Sequence, residues 1–249
     1  MHSRFGKVTS AAFLFLLQGC ASEPVDRGRS GGGESGSGEN HGSAGGPANA
    51  CSGALKQSAG LVDEVAATQV AVLERAGAEL TLFVDATAGG ADAKGPWIYL
   101  SLADGSKQDL TDFEALASTA WDLAFKRATI RTNGGDSGPG RGGSFRVALP
   151  WDSVNASTLG DRSVPTEKWF DEECNLTVDE STGSLITTFS GWDEYDQATH
   201  VLTPADAVYL TQGASGALYK VAILDYYADP DGGSGRTSAR YKLRVAALP

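Results

Sequence analysis

Residues 121–144, WDLAFKRATIRTNGGDSGPGRGGS, constrain the fold of this chain more than any other stretch. Trp121, Leu123 and Phe125 alternate with Asp122, Ala124 and Lys126. That period of two predicts a strand with its large apolar groups on one face. In a second run, residues 128–132, Thr129, Ile130 and Thr132 are β-branched and suit a pleated surface. Asn133-Gly134-Gly135 then interrupts the pattern, because Asn and Gly tolerate positive φ. The loop that follows holds six glycines in the eleven residues 133–143.

Three readings of that loop compete. Gly138, Gly140 and Gly143 fit the spacing of a dinucleotide fingerprint, which needs a helix to follow. Residues 144–149, SFRVAL, alternate like a strand instead, so that reading fails. Gly135-Asp136-Ser137-Gly138 has the form of a serine nucleophile loop, which requires a histidine base. The only histidines upstream are His2 and His41, one in a leader and one in a linker, so this reading fails too. A glycine-rich connection between strands is left.

Elsewhere the same rhythm recurs. Residues 79–85 and 97–102 read as strands, 207–212 and 217–227 as a hairpin around 213–216, and 238–245 as the closing strand. Residues 58–76 fit neither period, and a short helix or an N-terminal strand pair would suit them equally. Residues 110–118 predict one helical turn with Asp112 as its cap, and 165–170 another with Pro165 in its first position. The long polar stretch 151–180 has Trp169 and Phe170 as anchors. Residues 185–189 predict a strand, and 191–199 an acidic loop carrying Trp192 and Tyr195. Asp229 and Asp231 belong to a turn, since no calcium-ligand ladder follows them. Short strands with frequent turn signals define an all-β domain of packed antiparallel sheets, with short helical turns.

The N-terminal fifth is of another kind. Arg4 and Lys7 precede the mainly apolar residues 8–17, too short to cross a bilayer, and then Leu17-Gln18-Gly19-Cys20. This resembles a bacterial lipoprotein signal over residues 1–19, with Cys20 as the lipid anchor. Residues 21–50 contain nine glycines and five serines and almost no large apolar side chain. Such a segment cannot bury enough surface to fold. Residues 20–50 are therefore expected to be a disordered tether with a reach of roughly 30 Å, and residues 51–249 the domain. The formal charge is −11, and loss of residues 1–19 removes two basic residues and no acids, giving −13. That sign repels phosphate backbones and argues against a nucleic-acid partner. If Cys20 carries lipid, Cys51 and Cys174 remain, and an even remainder in an exported protein suggests a disulfide; two free thiols are the alternative. No C-x-x-C or histidine cluster suggests a metal site, and no nucleophile–base pair suggests an enzyme.

The run W-D-L-A-F-K-R, then I-R-T-N, then a Ser/Gly loop closing in Gly142-Gly143, closely resembles the HmuY family of bacterial cell-surface haem-binding lipoproteins. The resemblance extends upstream to Trp97-Ile98-Tyr99-Leu100-Ser101-Leu102. Downstream it takes in Thr203-Pro204, Ala207–Leu210, Gly216–Val221 and Tyr241-Lys242-Leu243. It implies packed β-sheets, haem as cargo, and hairpin loops that hold it. It also implies an outer-membrane lipoprotein on the surface or periplasmic face, with the membrane and haem or a haem-carrying protein as partners. Haem held by protein needs axial ligands from His, Met, Cys or Tyr. Paired histidines or methionines are the family's usual ligands. Beyond Cys51 this chain has one histidine, His200, and its only methionine is Met1. Ligation then falls to His200 or Tyr195, or haem is shared between two molecules. The competing reading is a non-haem surface lipoprotein that binds another ligand or a protein partner through Trp192, Tyr195 and the acids beside them.

Overall fold

The structure is a computed structural model, and it describes residues 51 and 57–249. The export signal, Cys20 and the linker with His41 lie outside the described residues. The strands in chain order are β1 (Val70–Ala76), β2 (Glu79–Asp85), β3 (Ile98–Leu100), β4 (Lys107–Gln108), β5 (Leu123–Lys126), β6 (Thr129–Thr132), β7 (Gly143–Val147), β8 (Asp193–Asp196), β9 (Val201–Pro204), β10 (Val208–Gln212), β11 (Leu218–Asp225) and β12 (Arg240–Leu248). They form a six-stranded sheet ordered β1-β2-β12-β11-β10-β7, a four-stranded sheet β4-β3-β5-β6, and the separate hairpin β8-β9. Every strand pairing is antiparallel. The ambiguous residues 58–76 resolve into a short 3-10 turn and β1, because only a strand can complete the edge beside β2.

The two larger sheets pack face to face. Leu80, Leu82 and Val84 of β2 and Tyr241, Leu243 and Val245 of β12 alternate inward from one sheet. Ile98, Leu100, Leu123, Phe125 and Ile130 meet them from the other. The four-stranded sheet is covered on its second face as well, by Trp97, Tyr99, Trp121, Ala124, Trp169 and Phe170. All four residues of β5 are therefore buried. This corrects the one-faced strand expected from the alternation. Trp121 is not on the face of Leu123 and Phe125: the chain bends at Asp122, before regular pairing begins, and Trp121 joins the opposite cluster. The Asp122 carboxylate fixes the bend by accepting from Leu102 N (2.7 Å) and Ala214 N (2.8 Å).

The second layer is a box around Arg131. Its guanidinium lies 4.4 Å from the Trp97 ring, 5.0 Å from Trp169, 5.2 Å from Trp121 and 5.5 Å from Tyr99. Arg131 donates to Tyr99 Oη (2.6 Å), which donates in turn to Asp112 Oδ1 (2.9 Å). Asp112 also accepts from Val62 N and Trp97 N and faces Lys126 at 3.8 Å. Buried charge is tolerable only when paired and hydrogen-bonded; Asp112 meets that requirement, whereas Arg131 relies on the surrounding rings, the Tyr99 hydroxyl and Ser137 Oγ (3.4 Å), with Nε lacking a hydrogen-bond partner among the described residues. Asp112 is thus a core acceptor and not the cap of helix α1 (Asp112–Ala115). Thr111 caps it, in a capping box with Glu114.

Two further expectations fail. Residues 165–170 are extended, because their backbone serves the glycine loop: Ser144 N donates to Pro165 O and Asp136 N to Glu167 O. Residues 185–189 make only an isolated bridge, Val178 to Leu185, and then a turn. The loop itself is a compact strap. Asn133 donates from Nδ2 to Ser118 O and Trp121 O and accepts from Gly140 N. Gly135, at φ +61°, comes so close to the Glu167 carbonyl that a Cβ would lie 2.0 Å from it.

Candidate functional site

Residues 191–199, expected as an acidic loop, contain β8, which turns back through His200 into β9. Charged strands are poor in β propensity, and cross-strand pairing overrides that here. Register sets Tyr195 opposite Leu202, and both border a cleft of about 570 Å³. The free edge of β6 forms the floor, with Ala128, Thr129 and Ile130. Trp192 and Leu202 form one side, and residues between Asp179 and Ser190 the other. The volume falls in the range of small-molecule sites.

Side chains fix the walls to the floor. The carbonyls along this edge are capped: Trp192 Nε1 donates to Ala128 O just before β6 (2.7 Å) and Thr187 Oγ1 to Ile130 O within it (2.5 Å). Capping of this kind keeps an edge strand from pairing with another chain. The hairpin is anchored where Leu202 N donates to Tyr227 Oη (3.0 Å). Glu167, behind the cleft and buried, accepts from Thr132 and Thr188, linking the floor strand to the wall. Burial pushes the Glu167 carboxyl up, against the donors that pull it down.

The two residues singled out as haem ligands come together. Tyr195 Oη and His200 Nδ1 are 2.6 Å apart, a hydrogen bond across the turn of the hairpin. Tyr195 is 54% exposed, and His200 sits at φ +58°, held by its own N–H to Asp196 O (2.8 Å). Tyr195 borders the cleft, whereas His200 stands behind it as the phenol's partner. Among the described residues no cluster of His, Cys, Asp and Glu could hold a metal ion. Two carboxylates reach the cleft. Burial raises Asp193, while the Ser181 hydroxyl leads the hydrogen bonds that lower Asp179. The lining contains no Lys or Arg. Hydroxyls of Thr129, Ser181, Thr182, Ser184, Thr187 and Ser190 supply neutral polar contacts.

Cys51 and Cys174 are joined by a disulfide spanning 123 residues, and both pack with Trp169 and Phe170 of the box layer. Glu167, Thr187 and Thr188 were not singled out from the sequence. They lie in a polar stretch without periodicity, where nothing distinguishes a structural carboxylate from a solvated one.

The chain belongs to the HmuY family: the model for the HmuY protein matches residues 93–241, more than half of the sequence. Solved structures similar to it include a Bacteroides fragilis protein described as a lipoprotein, 17% identical, with a TM-score of 0.44 over 70% of this chain and 94% of that one. A Bacteroides vulgatus protein described as HmuY-like and haem-binding is 17% identical, with a TM-score of 0.45 over 68% and 91%. The apo form of an HmuY analogue from Tannerella forsythia is 13% identical, with a TM-score of 0.47 over 73% and 98%. No curated protein matches.

Proposed function

We propose that this chain is a lipid-anchored, non-catalytic haem-capture protein of the bacterial cell envelope. Haem enters the cleft beside β8, and Tyr195 Oη is its axial ligand to iron. The reading is supported by family membership and carried by one observation, the 2.6 Å contact between Tyr195 Oη and His200 Nδ1 at the mouth of the cleft. Phenolate is an established haem ligand, and a phenol must lose its proton to become one. His200 accepts that proton through Nδ1 and keeps the oxygen oriented. The donor set agrees: among the described residues there is no methionine, both cysteines are in the disulfide, and His200 is the sole histidine. Leu185, Leu202 and the Tyr195 ring keep surface at the cleft that would contact the macrocycle, with the buried Ile130 and Trp192 closing the layer beneath. With no cation in the lining, the propionates face water. Cys20 would carry the lipid, and the 20–50 tether would hold the domain clear of an outer membrane.

Hemin titration of residues 51–249 tests this. A saturable Soret band is expected, abolished in Tyr195→Phe and weakened about tenfold in His200→Ala. A spectrum that stays that of free hemin would remove haem as the cargo. One feature favours a second reading, a neutral or cationic ligand in place of haem. Asp179 and Asp193 both border the cleft with no basic residue to offset them. Failure of hemin with the fold intact would select that reading.

A further inference from the structure

We propose that Glu167 is the positioning residue of this cleft, the strut by which the glycine-rich signature loop sets the distance between its floor and its wall. The proposal rests on the cleft being the ligand site. Glu167 is held from behind at its backbone: Asp136 N donates to its carbonyl at 3.0 Å, and Gly135 closes against the same oxygen without room for a side chain. Asp136 also accepts from Trp169 N (2.7 Å) and Phe170 N (3.3 Å), two residues further on. The loop therefore grips the backbone at Glu167 and just after it, while Ser144 of β7 holds Pro165 before it.

The side chain reaches the other way. Oε1 accepts from Thr132 N (2.8 Å), Thr132 Oγ1 (2.9 Å) and Thr188 Oγ1 (2.8 Å), and Oε2 from Thr188 N (3.0 Å). Thr132 ends β6, whose Thr129 and Ile130 form the cleft floor with Ala128 just before them, and Thr188 follows Thr187, which borders the cleft and caps Ile130 O. One buried carboxylate thus joins the floor strand and the wall segment through four donors. Apart from these and Thr187 Oγ1 to Ile130 O, the hydrogen bonds of the wall around 187–190 are short turn contacts of its own, and Phe189 anchors it in the core by stacking on Tyr209 at 4.6 Å, so Glu167 supplies its other polar tie to the floor strand. The backbone N–H groups of Thr132 and Thr188 can only donate, one to each carboxylate oxygen, which favours a carboxylate here over an amide.

Glu167→Gln tests the strut with little change of shape. Whichever way the amide is turned, its NH2 meets the backbone N–H of Thr132 or of Thr188, donor against donor. In the absence of hemin, amide exchange over 187–192 should accelerate about tenfold relative to β11 and β12. Hemin affinity should fall about tenfold, with Soret position retained because Tyr195 is untouched. Thr188→Val, which keeps the carboxylate, should shift both in the same direction by about threefold, and it carries the test if Glu167→Gln does not fold. Unchanged exchange at 187–192 in a folded variant overturns the strut. Faster exchange with unchanged hemin affinity overturns its positioning role. If the unmodified domain binds no hemin, the cargo reading has failed and the role in ligand positioning falls with it. The exchange result then still reports whether Glu167 holds the wall.

Discussion

The box around Arg131 and the cleft beside Tyr195 are built from different materials. The box is closed: Trp97, Tyr99, Trp121, Trp169 and Arg131 are all buried, and the polar relay from Arg131 to Asp112 is internal. The cleft is open, bordered by one edge strand, a two-stranded hairpin and irregular chain. Yet Trp121 and Arg131 of the box come from the stretch that most resembles the family, residues 121–133, whereas Tyr195, the ligand proposed above, borders the cleft from a separate hairpin. If Tyr195 is the ligand, the signature builds the scaffold and the cleft floor while the grip stands on a separate hairpin, where a change of residue leaves the fold standing.

Stability measurements can break that contrast. Trp121→Ala removes a buried indole and its Nε1 donation to Ala115 O, and should cost about 4 kcal/mol in denaturant unfolding. A loss below about 1 kcal/mol would mean that the box is not the keystone of the second layer. Cys51→Ser with Cys174→Ser should cost about 3 kcal/mol, given the long loop that the bond closes. An unchanged denaturation midpoint would show the bond to be dispensable.

A smaller effect follows from Lys126, which burial lowers from an ordinary 10.5 to about 8 while Asp112 partly opposes the shift. With the folded value depressed, the unfolded chain binds the extra proton between those limits, so stability rises with pH across that window. From pH 8 to 9 the unmodified protein should gain about 1 kcal/mol relative to Lys126→Met. A constant difference would take the charge of Lys126 out of the network. Least affected should be Tyr195→Phe, whose stability stays within about 0.5 kcal/mol even as hemin binding is lost. A large loss there would make the tyrosine part of the framework and erase the contrast.

The box was legible as strands but not as a box. Alternation along Trp121–Lys126 marks a strand. It cannot say that a second layer, with Trp169 and Phe170 arriving from a polar stretch, covers the other face. Asp122 and Lys126 therefore read as the side away from the large apolar groups and turned out buried, each held by partners distant in sequence. Tyr195 and His200 were legible as the only suitable residue types. Their contact was not, because the run Asp193–Asp196 disguises a strand whose turn folds His200 back onto the phenol. Pro165 gave a sound helix-start signal that the neighbouring loop overrode by taking up the backbone of Pro165 and Glu167.

The disulfide has a mechanical consequence. In a protein hung from a lipid, force would enter the domain from its N-terminal side, at Cys51. The first strand it would otherwise reach is β1, at the edge of the six-stranded sheet, and an edge ladder pulled from one end unzips one bond at a time. The bond to Cys174 shunts that load into the layer of Trp169 and Phe170, behind which the four-stranded sheet lies. Shear in the surrounding fluid would then strain the best-buried part of the molecule before it could fray the weakest.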